Sequence, residues 1–149
     1  MEVSGGLAFP TGLTCAVPLS SYQHGTIAAK TDAPSQGSNE GLLGVLYAAV
    51  GIACVLPDYI GLGDSDGFHL YVHAESEARA SMDLVLGAHD LQEELGYTLN
   101  GQHIIWGYSQ GGHATMALQK LWEEEYADDY NLVASAPMSG PYDLSGVQA

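Results

Sequence analysis

The chain has 149 residues, 3 of them basic and 18 acidic, which gives a formal net charge of −15 at pH 7. A surface this acidic repels phosphate backbones and anionic lipid, so nucleic acid and the membrane surface are excluded as expected partners. With 46% apolar residues, the sequence predicts one folded domain over residues 1–149 with a packed core.

The sequence contains no evident targeting or membrane-spanning segment. No apolar run approaches the ~20 residues of a spanning helix, and residues 1–6 lack the basic and apolar regions of a signal peptide. We therefore expect a soluble protein, cytoplasmic or secreted. Two cysteines, Cys15 and Cys54, are too few for a disulfide framework or a zinc cage, so neither a metal nor a cofactor is expected.

The first half of the chain predicts two strands, a helix and a third strand. Residues 3–9 and 13–22 have strand-like patterns. After a polar, turn-rich loop, Asn39 is the expected N-cap of a helix whose apolar stripe ends at Val50. The continuous apolar run over residues 51–56 is typical of a parallel strand buried on both faces.

The second half continues the alternation of strands and helices. A glycine-rich loop over residues 59–69 precedes a long amphipathic helix from His73 to Leu95, with Gly96 as its C′ residue. Residues 132–136 predict the last strand. Strands alternating with helices of ten or more residues indicate βαβ units. The predicted fold class is α/β, a three-layer arrangement with a mostly parallel sheet and flanking helices.

The stretch from His103 to His113 organises the rest of the chain. It contains a short apolar strand, then Gly107-Tyr108-Ser109-Gln110-Gly111, a G-x-S-x-G motif, and then the start of a helix that runs to about Tyr126. Strand, tight turn and helix in this order are the context in which the motif indicates a nucleophile elbow. Ser109 is therefore the candidate nucleophile.

With these motifs the chain resembles the N-terminal part of α/β-hydrolase esterases and secreted lipases. Four segments match in the family's order, at residues 22–26, 57–65, 107–111 and 139–143. The resemblance implies a shortened α/β-hydrolase fold that lacks the last strands. It also implies a serine carboxylesterase that forms an acyl-enzyme on Ser109. Because no segment long enough for a lid is visible, small or short-chain carboxylic esters are the expected substrates.

The resemblance also implies an oxyanion hole. Ester hydrolysis builds negative charge on the former carbonyl oxygen, which fixed N–H donors stabilise. In this fold the donors are the residue after the nucleophile and the loop after an earlier strand. They correspond here to Gln110 and to the His24-Gly25-Thr26 loop, with Thr26 or Gly25 as the second donor.

The catalytic base is harder to place, because members of the family carry the acid and the histidine after the serine. Residue 113 is the last histidine in the sequence. Its side chain is expected to point along the elbow helix and not over the Ser109 hydroxyl. The candidates are therefore His24, beside the oxyanion loop, and then His69 and His73. Each of these could instead anchor a loop or lie exposed.

Asp143 is the candidate acid because it follows the strand after the elbow, with Asp64 or Asp66 as the next choices. A metal-dependent hydrolase using His69 and His73 is disfavoured because no H-E-x-x-H motif is formed.

Three alternatives stay open from the sequence. The chain is a shortened enzyme that recruits another histidine, a truncated or non-catalytic homologue acting as a binding module, or one of two copies that exchange elements. Because the missing strands would leave a sheet edge uncovered, we expect a homodimer, with domain swapping as one form of it.

Overall fold

The computed structural model describes residues 2–146, in which five strands form a single sheet. The strands are β1 (Gly5–Ala8), β2 (Val17–Gln23), β3 (Ala53–Pro57), β4 (Leu99–Tyr108) and β5 (Asn131–Met138). Their order across the sheet is β1-β3-β2-β4-β5. β1 pairs antiparallel with β3, and the other neighbouring strands are parallel. The predicted mostly parallel sheet is confirmed.

Helices connect the parallel strands. They are α1 (Asn39–Ala49), α2 (Ala74–Asp90), α3 (Gln92–Leu95) and α4 (Gln110–Glu125). α1 joins β2 to β3, α2 and α3 join β3 to β4, and α4 joins β4 to β5. Among residues 2–146, no helix is both long enough and apolar enough to cross a bilayer.

The helices cover both faces of the sheet, because alternate residues of a strand point to opposite sides. Cys54 and Leu56 of β3 pack in a cluster with Tyr47 of α1. The intervening Ala53 and Val55 belong to the main core. That core also contains side chains of β2 and β4, and α2 and α4 contribute Met82, Val85, Leu118 and Trp122. The three-layer arrangement predicted from the sequence is therefore confirmed.

The boundaries differ from the prediction in three places. Asn39 is the first residue of α1 and not its N-cap, and Ser38, which precedes the helix, makes no side-chain capping bond. The turn-rich loop contains two 3₁₀ turns, Lys30–Asp32 and Pro34–Gln36. β4 begins at Leu99, before the stretch from His103 in which the short apolar strand was predicted.

The helix predicted from His73 to Leu95 is in fact two helices. The break lies at Leu91, which closes α2 and precedes α3. Gln92 lies directly after this break, and its side chain links the two sides. Its Nε2 donates to His89 O (3.0 Å) and its Oε1 accepts from Leu99 N (2.8 Å). Gly96 has the left-handed conformation expected of a C′ residue, with φ 75°.

Two histidines, His89 and His103, meet beside the middle of β4, away from the elbow. His103 Nε2 lies 2.8 Å from His89 Nε2, and His103 Nδ1 lies 3.1 Å from Asn131 O. A hydrogen shared between two Nε2 atoms requires at least one neutral ring. Burial is the main cause that lowers the pKa of both imidazoles below the ordinary value of 6.5.

This pair predicts a pH dependence of stability. Because both pKa values are lower in the folded state, the unfolded state binds more protons below pH 6.5, so stability is lost as the pH falls. At pH 5.5 each histidine can cost at most about 1.4 kcal/mol. Thermal melts at pH 7.5 and 5.5 should therefore give a lower Tm at pH 5.5. A His89→Gln variant, whose amide can still donate to His103, should show a smaller drop; an unchanged drop would contradict the assignment.

Candidate active site at the carboxyl edge of the sheet

The four segments that carry the family resemblance meet at one edge of the sheet. The carboxyl ends of parallel strands lie on the same side, and residues 24–26, 58–65, 109–111 and 139–143 follow β2, β3, β4 and β5, respectively. Direct contacts join neighbouring segments, since Ser109 N donates to Met138 O at 3.0 Å. The arrangement brings together residues that are far apart in the sequence.

Ser109 lies at the turn between β4 and α4 in a strained backbone conformation. Its φ is 60° and its ψ is −123°, outside the regions that L-residues favour. Such a conformation costs roughly 1–3 kcal/mol and persists only where the surrounding structure enforces it. The side chain lies at the start of α4, where the amide groups of the first turn have no intrahelical partner.

Glycines beside Ser109 make the turn possible. A Cβ on Gly111 would lie 1.9 Å from Gln23 O, and one on Gly107 would lie 2.6 Å from the same oxygen. A Cβ on Gly112 would lie 2.4 Å from Met138 O. These approaches are to backbone atoms that cannot rotate away, so the elbow helix can pack against β2 and β5 only with glycine at these positions.

The loop after β2 lies against the elbow. A Cβ placed on Gly25 would lie 3.4 Å from Tyr108 O and 4.0 Å from Ser109 Cβ. Gln110 is the first residue of α4, so its N–H is one of the groups without an intrahelical partner. The structure thus brings Gly25 and Gln110, both predicted oxyanion donors, beside Ser109. Thr26 is exposed, and its hydroxyl is 3.0 Å from the Tyr71 hydroxyl.

His24 has a different environment from the one that a catalytic base needs. It is fully buried, with Nδ1 2.7 Å from Gly25 O and Nε2 3.2 Å from Asp58 O. Its ring packs on Tyr59, with 4.2 Å between the ring centroids, and the Tyr59 hydroxyl donates to His24 O. Burial lowers the pKa of His24. Both nitrogens face carbonyl oxygens, so this geometry favours a role in anchoring the loop over the predicted role as base.

The other candidate histidines are also engaged. His69 Nδ1 is 3.1 Å from Ile60 O and its Nε2 is 2.7 Å from Gln110 Nε2. His73 caps α2, with Nδ1 accepting from Ser76 N at 3.3 Å. His113 Nδ1 lies 2.8 Å from Glu77 Oε2. Within residues 2–146, none of the six histidines is hydrogen-bonded to Ser109 Oγ.

The candidate acids lie on exposed loops. Asp143 Oδ1 accepts from Ser145 Oγ at 3.2 Å and from Gly146 N at 2.9 Å. Asp64 and Asp66 are exposed in the glycine-rich loop. In the described part of the chain, no three histidine, cysteine or acidic side chains form a group that could hold a metal ion.

Buried Asp58 holds the glycine-rich loop in place. Its Oδ2 accepts from Ser4 Oγ at 2.7 Å and its Oδ1 accepts from Ser35 N at 3.0 Å. A Cβ on Gly63 would lie 2.2 Å from Asp58 Oδ2. Ser4 Oγ also accepts from Asp64 N at 2.9 Å. Asp58 therefore has a structural role that supports the edge of the site.

The sequence-based reasoning missed one cluster beneath the elbow. The Glu77 side chain of α2 is completely buried. Its Oε1 accepts from Gln110 Nε2 at 2.8 Å, and its Oε2 accepts from His113 Nδ1 at 2.8 Å. The sequence did contain a signal for this cluster. Residues 77, 81 and 85 recur at helical spacing and are all buried, so the acidic residue at position 77 falls on the buried face of α2.

A parallel sheet with helices on both faces, and a strained serine at a strand–turn–helix elbow, define an α/β-hydrolase fold. The family model described as secretory lipase matches residues 33–148. The chain belongs to the secretory lipase family.

Solved structures agree with this assignment. A Legionella pneumophila protein provisionally assigned as a hydrolase is 35% identical, with a TM-score of 0.83 and 95% of this chain covered. The rice cell wall degrading esterase LipA from Xanthomonas oryzae is 36% identical, with a TM-score of 0.81 and 94% of this chain covered. In both cases the chain spans 38% of the length of the solved relative.

A more distant structure supports the fold alone. Candida antarctica lipase A in its closed state is 20% identical, with a TM-score of 0.68, and the match covers 90% of this chain and 33% of that one. No curated protein sequence matches the chain.

The elbow glycines give a stability prediction with an internal control. Gly111→Ala should destabilise the protein by about 3 kcal/mol or more, because the added methyl cannot avoid Gln23 O. Gly87→Ala, in the interior of α2 with nothing within 4 Å, should instead stabilise it by roughly 0.5–1 kcal/mol. Urea unfolding of both variants measures the two changes. An equal effect of the two substitutions would contradict the close packing at the elbow.

Proposed function

We propose that the chain carries the nucleophile and oxyanion hole of a serine carboxylesterase that hydrolyses small or short-chain carboxylic esters. In this proposal Ser109 attacks the ester carbonyl and becomes acylated. The amide of Gln110 and that of Gly25 or Thr26 stabilise the oxyanion. The observation that carries the proposal is the strained Ser109 turn, with Gly25 on one side and the start of α4 on the other.

The electrostatics of the elbow support this assignment. The amides of the first turn of α4 are unpaired within the helix, and the helix dipole places partial positive charge there. Negative charge that develops on a tetrahedral intermediate would face this end of the helix. Removal of one such donor typically costs about 2.7–4 kcal/mol of transition-state stabilisation.

A cleft lies along the elbow helix, and Ser109 and the proposed oxyanion donors are not among its lining residues. It has a volume of about 310 Å³ and lies between the exposed face of α4 and the loop after β5. Its lining includes His113, Met116, Ala117 and Tyr142.

We further propose that the base comes from polypeptide outside residues 2–146. Serine needs an adjacent base to become nucleophilic, and the described histidines are held elsewhere by hydrogen bonds. His24 and His69 each have both ring nitrogens within hydrogen-bond distance of another group, and His73 caps α2. Asp143, the candidate acid, accepts a hydrogen bond from Gly146 N across a turn. In this proposal His24 anchors the oxyanion loop.

The nucleophile can be tested on the 149-residue chain. A serine-directed phosphonate should label Ser109, and the label should be absent from Ser109→Ala and retained in Ser38→Ala, as read by mass spectrometry. Because a positioned base typically contributes about 10²–10⁴-fold, labelling should be slow and should accelerate several-fold with added imidazole. The same dependence on Ser109 and imidazole should appear in hydrolysis of a chromogenic short-chain ester.

The outcomes separate the two functions considered. Labelling of the Ser109→Ala variant at the wild-type rate would contradict the esterase proposal. No labelling of the wild-type chain, even with imidazole, would instead favour a non-catalytic binding module. In the described part of the chain, that alternative is supported by the lack of a hydrogen bond from any of the six histidines to Ser109 Oγ.

We also propose that this chain forms a homodimer. The surface that favours association is the apolar stripe of α1, where Leu42, Val45, Leu46 and Val50 are between 56% and 74% exposed. Contiguous apolar patches of this kind often mark interfaces. Sedimentation velocity at micromolar concentration should give a dimer, and Leu46→Glu should shift it to monomer, whereas Glu93→Gln on α3 should not. A wild-type monomer would contradict the proposal.

A further inference from the structure

The buried Glu77 carboxylate holds two side chains of the elbow helix. Gln110 and His113 are the first and fourth residues of α4, so they lie one turn apart on the same side of the helix. Each of the two oxygens of Glu77 accepts one hydrogen bond from these residues, at 2.8 Å in both cases. Glu77 therefore contacts the turn of helix that directly follows Ser109.

The contacts continue from Gln110 to the loops at the rim. Gln110 Nε2 lies 2.7 Å from His69 Nε2, and His69 Nδ1 lies 3.1 Å from Ile60 O. If His69 Nδ1 carries the hydrogen and donates to Ile60 O, its Nε2 accepts from Gln110. One hydrogen of the Gln110 amide then points to His69 and the other to Glu77. This chain of bonds fixes the orientation of the Gln110 residue from both sides.

Burying this carboxylate has a cost, which suggests a role beyond packing. The Glu77 side chain is 1% exposed and that of His113 is 15% exposed. Replacing a buried charged pair with apolar side chains of similar volume is often neutral or even stabilising. The other buried positions of α2 are mostly small or apolar, such as Ala78, Met82 and Val85. A leucine at position 77 would suit that helix face, but it could not hold Gln110 and His113.

We propose that Glu77 is a positioning residue for the nucleophile elbow. Through Gln110 and His113 it fixes the first turn of α4, and with it the strained Ser109 turn and the direction of the Gln110 N–H. Gly112 N and His113 N both donate to Ser109 O, at 2.9 Å and 3.3 Å. The first turn of α4, which Glu77 contacts, is therefore hydrogen-bonded directly to Ser109. The inference deepens the esterase proposal and, for its kinetic consequence, rests on it.

Two substitutions separate the hydrogen bonds of Glu77 from its charge. Glu77→Gln can still satisfy both partners, because its amide oxygen accepts from Gln110 and its amide N–H donates to His113 Nδ1 in the other tautomer. Glu77→Leu removes both bonds. Glu75→Gln is the matched control, since Glu75 lies on the same helix with a side chain that is 67% exposed and pairs with Arg79.

The kinetic readout is phosphonate labelling of Ser109 in the 149-residue chain, with imidazole present and well below the melting temperature. Glu77→Leu should lower the maximal labelling rate at least tenfold and leave the half-saturating phosphonate concentration within twofold. Loss of packing around the cleft would instead raise that concentration. Glu77→Gln should recover the rate to within threefold of wild type, and Glu75→Gln should match wild type. An unchanged rate in Glu77→Leu would overturn the inference.

Amide hydrogen exchange tests the positioning without any catalysis. Exchange of the Gly112 and His113 amides should accelerate at least tenfold in Glu77→Leu. In Glu77→Gln and Glu75→Gln the acceleration should be less than tenfold. If the wild-type chain is not labelled but this exchange pattern is found, Glu77 positions the elbow and the esterase proposal fails. Exchange in Glu77→Leu that equals wild type overturns the role of Glu77, whatever the labelling shows.

Discussion

The close approach of the elbow to β2 is the constraint on which the site depends. Gly107 and Gly111 leave room for Gln23 O, and the shared contact draws β4, α4 and β2 together at their carboxyl ends. This packing holds Ser109 in its strained conformation, with φ 60°, and brings the Gly25 loop beside it. A methyl group at either glycine would push these elements apart, so the candidate nucleophile and the candidate oxyanion hole rely on the same few atoms.

Part of this arrangement could be predicted because local sequence encodes it. The G-x-S-x-G motif between an apolar strand and a helical stripe predicted the elbow, and the unbroken apolar run before Pro57 predicted a buried parallel strand. Both signals are periodic patterns with turn residues at fixed positions. They depend on neighbours in the chain, which a single sequence displays directly.

The environments of the polar side chains could not be predicted in this way. His24 follows a strand beside the candidate oxyanion loop, the position predicted for a base. It is nevertheless buried, packs on the Tyr59 ring and has both ring nitrogens near backbone carbonyls. Glu77 is an acidic residue on a helix, a type that is usually exposed, and its partners lie 33 and 36 residues away. Such contacts arise from tertiary packing, which local patterns do not contain. The break between α2 and α3 at Leu91 also involves a tertiary contact, because the Gln92 side chain accepts a hydrogen bond from Leu99 of β4.

The bonds between Ser4 and the loop after β3 make the site depend on a late, long-range event in folding. Ser4 Oγ reaches Asp58 Oδ2 and Asp64 N across 54 and 60 residues of sequence, and β1 is the strand that pairs antiparallel. Contacts at this separation form late, because the entropy of closing a long loop must be offset first. The glycine-rich loop can therefore reach its final shape only after β1 has docked at the edge of the sheet. A mutation near Ser4, remote from Ser109 in sequence, would thus slow maturation of the rim without contacting the candidate nucleophile.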